Sequence, residues 1–184
     1  MKHYYRKIQG WFDFMDIYSM MVERFPSGSL FVEIGSWKGM SAVYMGVEII
    51  NSKKDIKLVC VDNWKLKDDD YSLPEYANPK QAYIEFRRNI HPVSSVVQHV
   101  KKSSVEASLL FKDESLDFVY IDGSHKYEFV KQDLKSWFPK VKDGSGIIAG
   151  HDRSFEGVHK AIHEFFGEYR QIMEVGNGSW MVQK

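Results

Sequence analysis

The stretch Phe31-Val32-Glu33-Ile34-Gly35-Ser36-Trp37-Lys38-Gly39 decides the fold. Leu30 to Ile34 is a short apolar run with one acid, Glu33, near its end, which is the pattern of a buried strand. Gly35 to Gly39 makes a turn, and Met40 to Ile50 continues with helical character as far as Asn51. A strand that runs through a glycine turn into a helix is a corner where a ligand meets the carboxyl end of a sheet. Two phosphate-binding versions of that corner fit poorly. A dinucleotide loop needs Gly-x-Gly-x-x-Gly, and Trp37 stands where its second glycine would let a pyrophosphate touch the backbone. A Walker loop ends in Gly-Lys-Ser or Gly-Lys-Thr, whereas this turn ends in Gly39-Met40-Ser41.

Working outward, strands and helices alternate. Trp11 to Phe25 has Phe14, Ile17, Tyr18, Met21 and Phe25 at helical spacing and is closed by Pro26-Ser27-Gly28-Ser29. Lys57 to Val61 is a second strand with Asp62 at its tip. Lys80 to Ile90 is a helix stopped by Pro92, and Ser95 to Val100 a third strand. Ser104 to Phe111 is a short helix, Leu116 to Ile121 a fourth strand ending at Asp122, and Tyr127 to Phe138 a helix closed by Pro139. Gly146 to Ala149 is a fifth strand that ends at His151-Asp152, followed by a helix from Val158 to Phe166. Tyr169 to Val175 and Ser179 to Gln183 flank Gly176-Asn177-Gly178, a strong hairpin signal. The alternation predicts an α/β fold: a doubly wound, mostly parallel sheet covered on both faces, with an antiparallel edge. Glu33, Gly35, Asp62, Asp122, His151 and Asp152 all fall at strand carboxyl ends, where such sheets bind ligands.

The 184 residues suit one domain, read as 1–184, with a helical segment over 1–28 and a long acidic loop over 63–79 that is expected to serve as a lid on the acceptor side. Twenty-five basic residues balance 25 acidic ones, so no global field favours nucleic acid. Cys60 is the single cysteine, which excludes an intrachain disulfide and a cysteine-based zinc site. Asp13 and Asp16 interrupt the apolar stretch nearest the N-terminus, and no apolar run reaches the length of a membrane span. The expectation is a cytoplasmic protein with no membrane or nucleic-acid partner; a homodimer is compatible with the sequence.

S-adenosylmethionine (SAM) suits a glycine corner that lacks a phosphate loop. Gly35 lets the backbone run close to a methionine moiety, with Ser36, Trp37, Gly39 and Ser41 around it. Glu33 attracts the ammonium side of such a ligand or orders water near it. Asp62, one strand over, can accept both ribose hydroxyls through its two oxygens, and Asn63 or Trp64 can pack against the adenine. Taken alone, a glycine after a strand is in most chains only a turn; joined to Asp62 at this separation it favours the ligand.

Val32-Glu33-Ile34-Gly35-Ser36-Trp37-Lys38-Gly39-Met40-Ser41-Ala42 resembles motif I of the class I SAM-dependent methyltransferases, in particular the small-molecule O-methyltransferases of catechol type. Ile121-Asp122-Gly123-Ser124-His125-Lys126-Tyr127, with Asp133-Leu134 and Gly146-Ile147-Ile148-Ala149-Gly150-His151-Asp152, is similar to the branch that includes cephalosporin-hydroxylase-like and macrolide-sugar methyltransferases. The resemblance runs from about Trp11 to the C-terminus. It implies a Rossmann-like seven-stranded sheet of order 3-2-1-4-5-7-6 with the last strand reversed, and it places Ser104 near the adenine.

Methyl transfer to a hydroxyl needs alignment and removal of a proton, by a base or with help from a metal. His125, three residues after Asp122 on the loop entering a helix, has a pKa suited to that work. The macrolide-sugar relatives imply the same role; the plainer alternative is a helix cap. Related enzymes imply a divalent ion on Asp122 and Asp152. His151 stands where an acid is usual, a departure that disfavours magnesium and suits manganese or a softer ion. Asp122 could instead contact the SAM amine. His159 and His163, at i,i+4 without an intervening glutamate, read as surface residues. The acceptor is expected to be a small hydroxylated molecule, a sugar or a phenol, with Trp11, Tyr71 and Tyr76 as candidate walls. The alternatives are a SAM-binding module without activity and an NAD-dependent oxidoreductase.

Overall fold

A computed structural model describes residues 1–65, 78–167 and 170–184. In chain order the elements are α1 (Met15–Arg24), β1 (Leu30–Ile34), α2 (Met40–Ser52), β2 (Lys57–Asp62), α3 (Pro79–Ile90), β3 (Val97–Lys101) and α4 (Ser104–Ser108). They continue with β4 (Phe118–Ile121), α5 (Tyr127–Trp137), β5 (Ile147–Gly150), α6 (Glu156–Phe166), β6 (Met173–Val175) and β7 (Ser179–Gln183). The strands form one seven-stranded sheet in the order β3-β2-β1-β4-β5-β7-β6. The first five pair in parallel, and β7 runs antiparallel to both β5 and β6. Fold class, strand order and reversed last strand are those expected.

The central strands are covered on both faces because alternate strand residues meet different helix layers. Phe31, Phe118 and Tyr120 point into a core built with Tyr18 and Met21 of α1 and Met45 of α2. Val32, Ile34, Val119 and Ile121 point the other way, onto Leu134 and Trp137 of α5 and Ile162 of α6. Lys54 closes the C-terminus of α1 from outside: its ammonium donates to the carbonyls of Val22, Glu23 and Phe25 at 2.8, 2.6 and 2.8 Å.

Two expectations at the N-terminal end change. The helix read from Trp11 begins only at Met15, and the 1–28 segment is helical only over α1 and a single 3₁₀ turn at Tyr5–Lys7. Trp11, Phe12 and Phe14 dock in three directions, on Trp37, Tyr5 and Tyr120 respectively, which the 100° step of a helix cannot satisfy. Residues 9–14 therefore form a strap across the top of the sheet. The short helix after β3 ends at Ser108, and its N-cap is Ser103 with Glu106 completing a capping box. The expected lid over 63–79, with Tyr71 and Tyr76, falls for the most part outside the described residues, as does the start of the strand read from Tyr169. Among the described residues no helix is long and apolar enough to cross a membrane.

One buried acid belongs to the fold rather than to the strand ends. Asp133 of α5 is 7% exposed. Burial pushes its carboxyl up to about 7, against a hydrogen bond from Ser104 that lowers it. A carboxyl raised in this way favours the fold fully below its unfolded pKa, and that contribution is lost as pH rises towards about 7. Asp133→Asn is therefore expected to gain on the wild type as pH rises. The stability of the variant relative to the wild type should rise by about 2–3 kcal/mol between pH 5 and pH 8, measured by thermal melts at both values; a difference independent of pH would refute the assignment.

Candidate active site

The parallel register continues one residue past each strand and lines up the chemistry. Gly35 N–H donates to Val61 O at 2.9 Å, Asp122 N–H to Ile34 O at 2.8 Å and His151 N–H to Ile121 O at 3.1 Å. Gly35, Asp122 and His151 thus stand side by side at the carboxyl edge. The fit at Gly35 is absolute: φ is +88°, and a Cβ there would lie inside the backbone carbonyl of Asp122.

Asp62 holds the glycine turn. Its Oδ2 accepts the backbone N–H groups of Ser36 and Trp37 at 3.1 and 2.9 Å, and its Oδ1 accepts that of Trp64 at 2.7 Å. Both tryptophans adopt left-handed backbone, with φ of 39° and 48°. Such strain, of the order of 1 kcal/mol or more per residue, persists because the carboxylate fixes both loops. Trp64 adds a bond from its indole N–H to Trp37 O at 2.7 Å. Glu33 is buried beneath the turn, where Tyr18 donates to its Oε2 at 2.6 Å. Burial raises its pKa, while Ser36, Tyr18 and Ser41 pull it down. Glu33 Oε1 and Ser36 Oγ are buried with no direct partner. A buried carboxylate oxygen and a buried hydroxyl without a well-formed hydrogen bond, side by side at a glycine turn, fit a ligand that brings an ammonium group or ordered water.

Beyond Gly35 lies a cluster of acids and imidazoles. His125 Nε2 is 2.7 Å from Asp152 Oδ2, and His151 Nδ1 is 3.2 Å from Asp152 Oδ1, so the two carboxylate oxygens serve different rings. The remaining nitrogen of His151, Nε2, lies 2.9 Å from both Asn177 O and Asp13 Oδ1. Burial works against the charged forms throughout, and the neighbours decide. It opposes the imidazolium of His125, but Asp152 and Asp122 outweigh it and raise the pKa. The same contest raises His151 to about 9. Asp152 is desolvated yet held well below the usual carboxylate range by the two imidazoles. Among the described residues Asp122 has no such hydrogen bond; burial lifts it to about 7, with Asp152 and Glu33 adding and the histidines opposing. Asp152 has φ of 57°, a third strained residue at the strand ends. Ligand atoms of Asp122, His151 and Asp152 lie within 4.8 Å of one another, a donor set of two carboxylates and one imidazole able to hold a divalent ion.

A family model described as a methyltransferase domain matches residues 32–153, two thirds of the chain, and spans the glycine turn and the acid–imidazole cluster. The chain belongs to the methyltransferase-domain family. The resemblance to class I SAM-dependent methyltransferases read from the motifs is thereby borne out, and the oxidoreductase alternative has no support. The chain is 28% identical over 122 residues to an uncharacterised protein of Acanthamoeba polyphaga mimivirus, covering 64% of this chain and 49% of that protein. It is 27% identical over 92 residues to uncharacterised protein y4gI of Sinorhizobium fredii, covering 50% and 9%. The chain spans about half the length, or less, of these curated relatives. Among solved structures the fold is similar to that of the O-methyltransferase NovP, with a TM-score of 0.67 at 19% identity over 92% of this chain and 78% of that one. It is also similar to the calicheamicin methyltransferase CalS11, with a TM-score of 0.69 at 14% identity over 92% and 76%. A methyltransferase of Streptococcus mutans solved with S-adenosylhomocysteine (SAH) aligns with a TM-score of 0.63 at 10% identity over 95% and 97%.

In this methyltransferase domain the turn residues Glu33, Gly35, Ser36, Trp37, Gly39 and Ser41 come together as expected, and so do Asp122, His125, His151 and Asp152. Three expected cofactor contacts are placed differently. Asp62 is more heavily engaged than expected: two backbone donors bind Oδ2 and one binds Oδ1, which keeps acceptor capacity on Oδ1 only. Trp64 turns its indole onto Phe86 and Tyr83 of α3, 4.7 Å between ring centroids in each case, and is buried rather than offered to an adenine. Ser104 accepts the indole N–H of Trp137 at 2.8 Å and faces α5. Asn63 accepts from Lys65 N–H. His125 is not a cap: the N-cap of α5 is Lys126, without a side-chain bond. The sequence reading missed three contacts to the cluster, those of Asp13, the Asn177 carbonyl and Phe155. Phe155 stacks on His125 at 4.3 Å between centroids. Asp13 was legible only as a break in an apolar stretch, and nothing in the local sequence ties it to His151.

If Asp62 holds the turn, its loss is felt without any ligand. Asp62→Asn, which replaces one acceptor oxygen by a donor, should cost about 2 kcal/mol in a denaturant titration of the ligand-free protein. Unchanged ligand-free stability would return Asp62 to a purely ligand-binding role.

Proposed function

We propose that this protein is a SAM-dependent O-methyltransferase acting on a hydroxyl of a small acceptor, a sugar or a phenol. The observation that carries the reading is the 2.7 Å pair of His125 and Asp152, set beside a glycine turn with a buried carboxylate oxygen and hydroxyl that lack a well-formed hydrogen bond. An imidazole oriented by a carboxylate is the arrangement of a general base. SAM, when bound, supplies an electrophilic methyl carbon on a sulfonium. The turn from Gly35 to Gly39 would hold its amino-acid end, with Glu33 and Asp122 adding negative potential for the ammonium. Asp62 keeps that turn in shape. His125 removes the hydroxyl proton as the acceptor oxygen attacks, and Asp152 stabilises the imidazolium that forms. Phe155 keeps the ring from rotating.

Asp122, His151 and Asp152 would hold a divalent cation, and the imidazole favours manganese over magnesium. Such an ion, when bound, acidifies a coordinated hydroxyl. The fold likeness to the O-methyltransferase NovP and to the TDP-rhamnose 3'-O-methyltransferase CalS11 supports a hydroxyl acceptor. A balanced net charge gives no reason to prefer nucleic acid.

Calorimetric titration should show binding of SAH and none of NADH; the reverse pattern would sink the reading. Against a panel of phenols and nucleotide sugars, any acceptor turned over by the wild type should react about 10²–10⁴-fold more slowly with His125→Ala while SAH affinity stays within about twofold. SAH binding by a wild type that methylates no hydroxylated acceptor would instead point to a silent SAM-binding module. For the cation, excess chelator should abolish transfer and Asp152→Ala should mimic it; full activity in chelator would remove the metal from the reaction.

A further inference from the structure

The strap over residues 9–14 is tied down at both ends of the site. At the glycine turn, Lys38 donates to Gln9 Oε1 at 2.6 Å, and Trp11 stacks on Trp37 with centroids 5.4 Å apart. At the acid–imidazole cluster, Phe14 lies against the His151 ring at 4.9 Å, and Asp13 Oδ1 sits 2.9 Å from His151 Nε2. Asp13 is itself 54% exposed, so the carboxylate has been drawn to that ring rather than buried by packing.

His151 Nε2 also lies 2.9 Å from the carbonyl of Asn177, which can only accept a hydrogen bond. Nε2 therefore carries a proton, shared between the Asn177 carbonyl and the Asp13 carboxylate. That leaves Nδ1 as the atom turned towards Asp152 Oδ1, inside the group formed with Asp122. An imidazole that donates its Nε2–H to a carboxylate and a carbonyl has the orientation of a metal-binding histidine and is made more basic at Nδ1, the nitrogen at which a divalent cation would replace the proton now shared with Asp152. We infer that Asp13 is a positioning residue: it holds His151 with Nδ1 facing Asp122 and Asp152, and so couples filling of that cluster by a divalent cation to docking of the N-terminal strap.

The coupling runs both ways, as linkage requires. A cation on His151 Nδ1 makes its Nε2–H a stronger donor and tightens the hold on Asp13. A docked strap presents the ring in the geometry the cation needs. Because the strap also reaches Trp37, the cation would order the wall next to the glycine turn as well as the reaction centre. The inference depends on the cation-binding reading above, and the test separates the two.

The probe is Mn²⁺ alone, titrated into the full chain by electron paramagnetic resonance, with amide hydrogen exchange followed over residues 9–14. The wild type is expected to bind Mn²⁺ and to exchange more slowly in the strap when it does. Asp13→Ala should bind about 10–100-fold more weakly and show no cation-dependent protection. Asp13→Glu should recover both readouts in part. Asp16→Asn removes one negative charge from the neighbouring α1, where Asp16 is exposed, and should change neither. Equal Mn²⁺ affinity in Asp13→Ala and wild type, or strap protection that ignores Mn²⁺, overturns the coupling while leaving the cation site standing. An equal loss in Asp16→Asn reduces Asp13 to a general charge effect and also overturns it. No Mn²⁺ binding by the wild type removes the cation site and the coupling together. Thermal melts of each variant in chelator confirm that the comparison is made on folded protein.

Discussion

The contact between Gly35 and the backbone of Asp122 is the constraint on which the site depends. Parallel pairing of β1 with β4 brings the end of one strand against the end of the other, and the turn after Ile34 must pass directly over the Asp122 carbonyl. No side chain fits there. The absence of one lets the glycine turn and the acid–imidazole cluster share a wall, the adjacency that the proposed methyl donor and base require. Each neighbouring strand adds its own terminal residue to this edge through the same backbone register: Asp62 from β2 and His151 from β5.

Strain and buried charge concentrate along that edge. Trp37, Trp64 and Asp152 have left-handed backbone, and Asp62, Asp122 and Asp152 are carboxylates partly withdrawn from water. The fold tolerates this because most of the costs are offset locally. Asp62 receives three backbone N–H groups, and Asp152 is held between two imidazoles. Asp122 is the exception, with its carboxyl lifted to about 7 and, among the described residues, no charged partner hydrogen-bonded to it. An acid left partly uncompensated among ordered neighbours is the kind of local imbalance that marks a working site rather than a structural one. Asp133, raised to the same value but answered by Ser104 within the α4–α5 interface, shows that a shifted pKa alone does not identify one.

Much of this was legible before any coordinates. Apolar runs of four to six residues alternating with helical spacing gave a parallel sheet, and the Gly176-Asn177-Gly178 turn gave its reversed edge. The acids and histidines were found by their position alone, because strand carboxyl ends follow directly from the apolar pattern. Roles were harder to read than places. Asp62 looked like a ribose acceptor because a carboxylate at a strand tip has two open oxygens on paper. In the folded chain the adjoining loops close on it, and backbone donors, which no sequence pattern displays, take up Oδ2 and share Oδ1. Trp64 likewise looked available to a ligand until α3 covered it.

What the sequence determined by itself is the fold, the glycine turn and the identity of the side chains at the sheet's edge, since each follows from local periodicity or from a short motif. What only the tertiary structure decided is how those side chains are joined. Asp13 meets His151 across 138 positions of chain, and the carbonyl of Asn177 reaches the same ring from a hairpin at the far edge of the sheet. Both contacts exist because parallel register and sheet order bring remote segments to one edge, and that information is carried by the packing of the whole core rather than by any stretch of residues near the site.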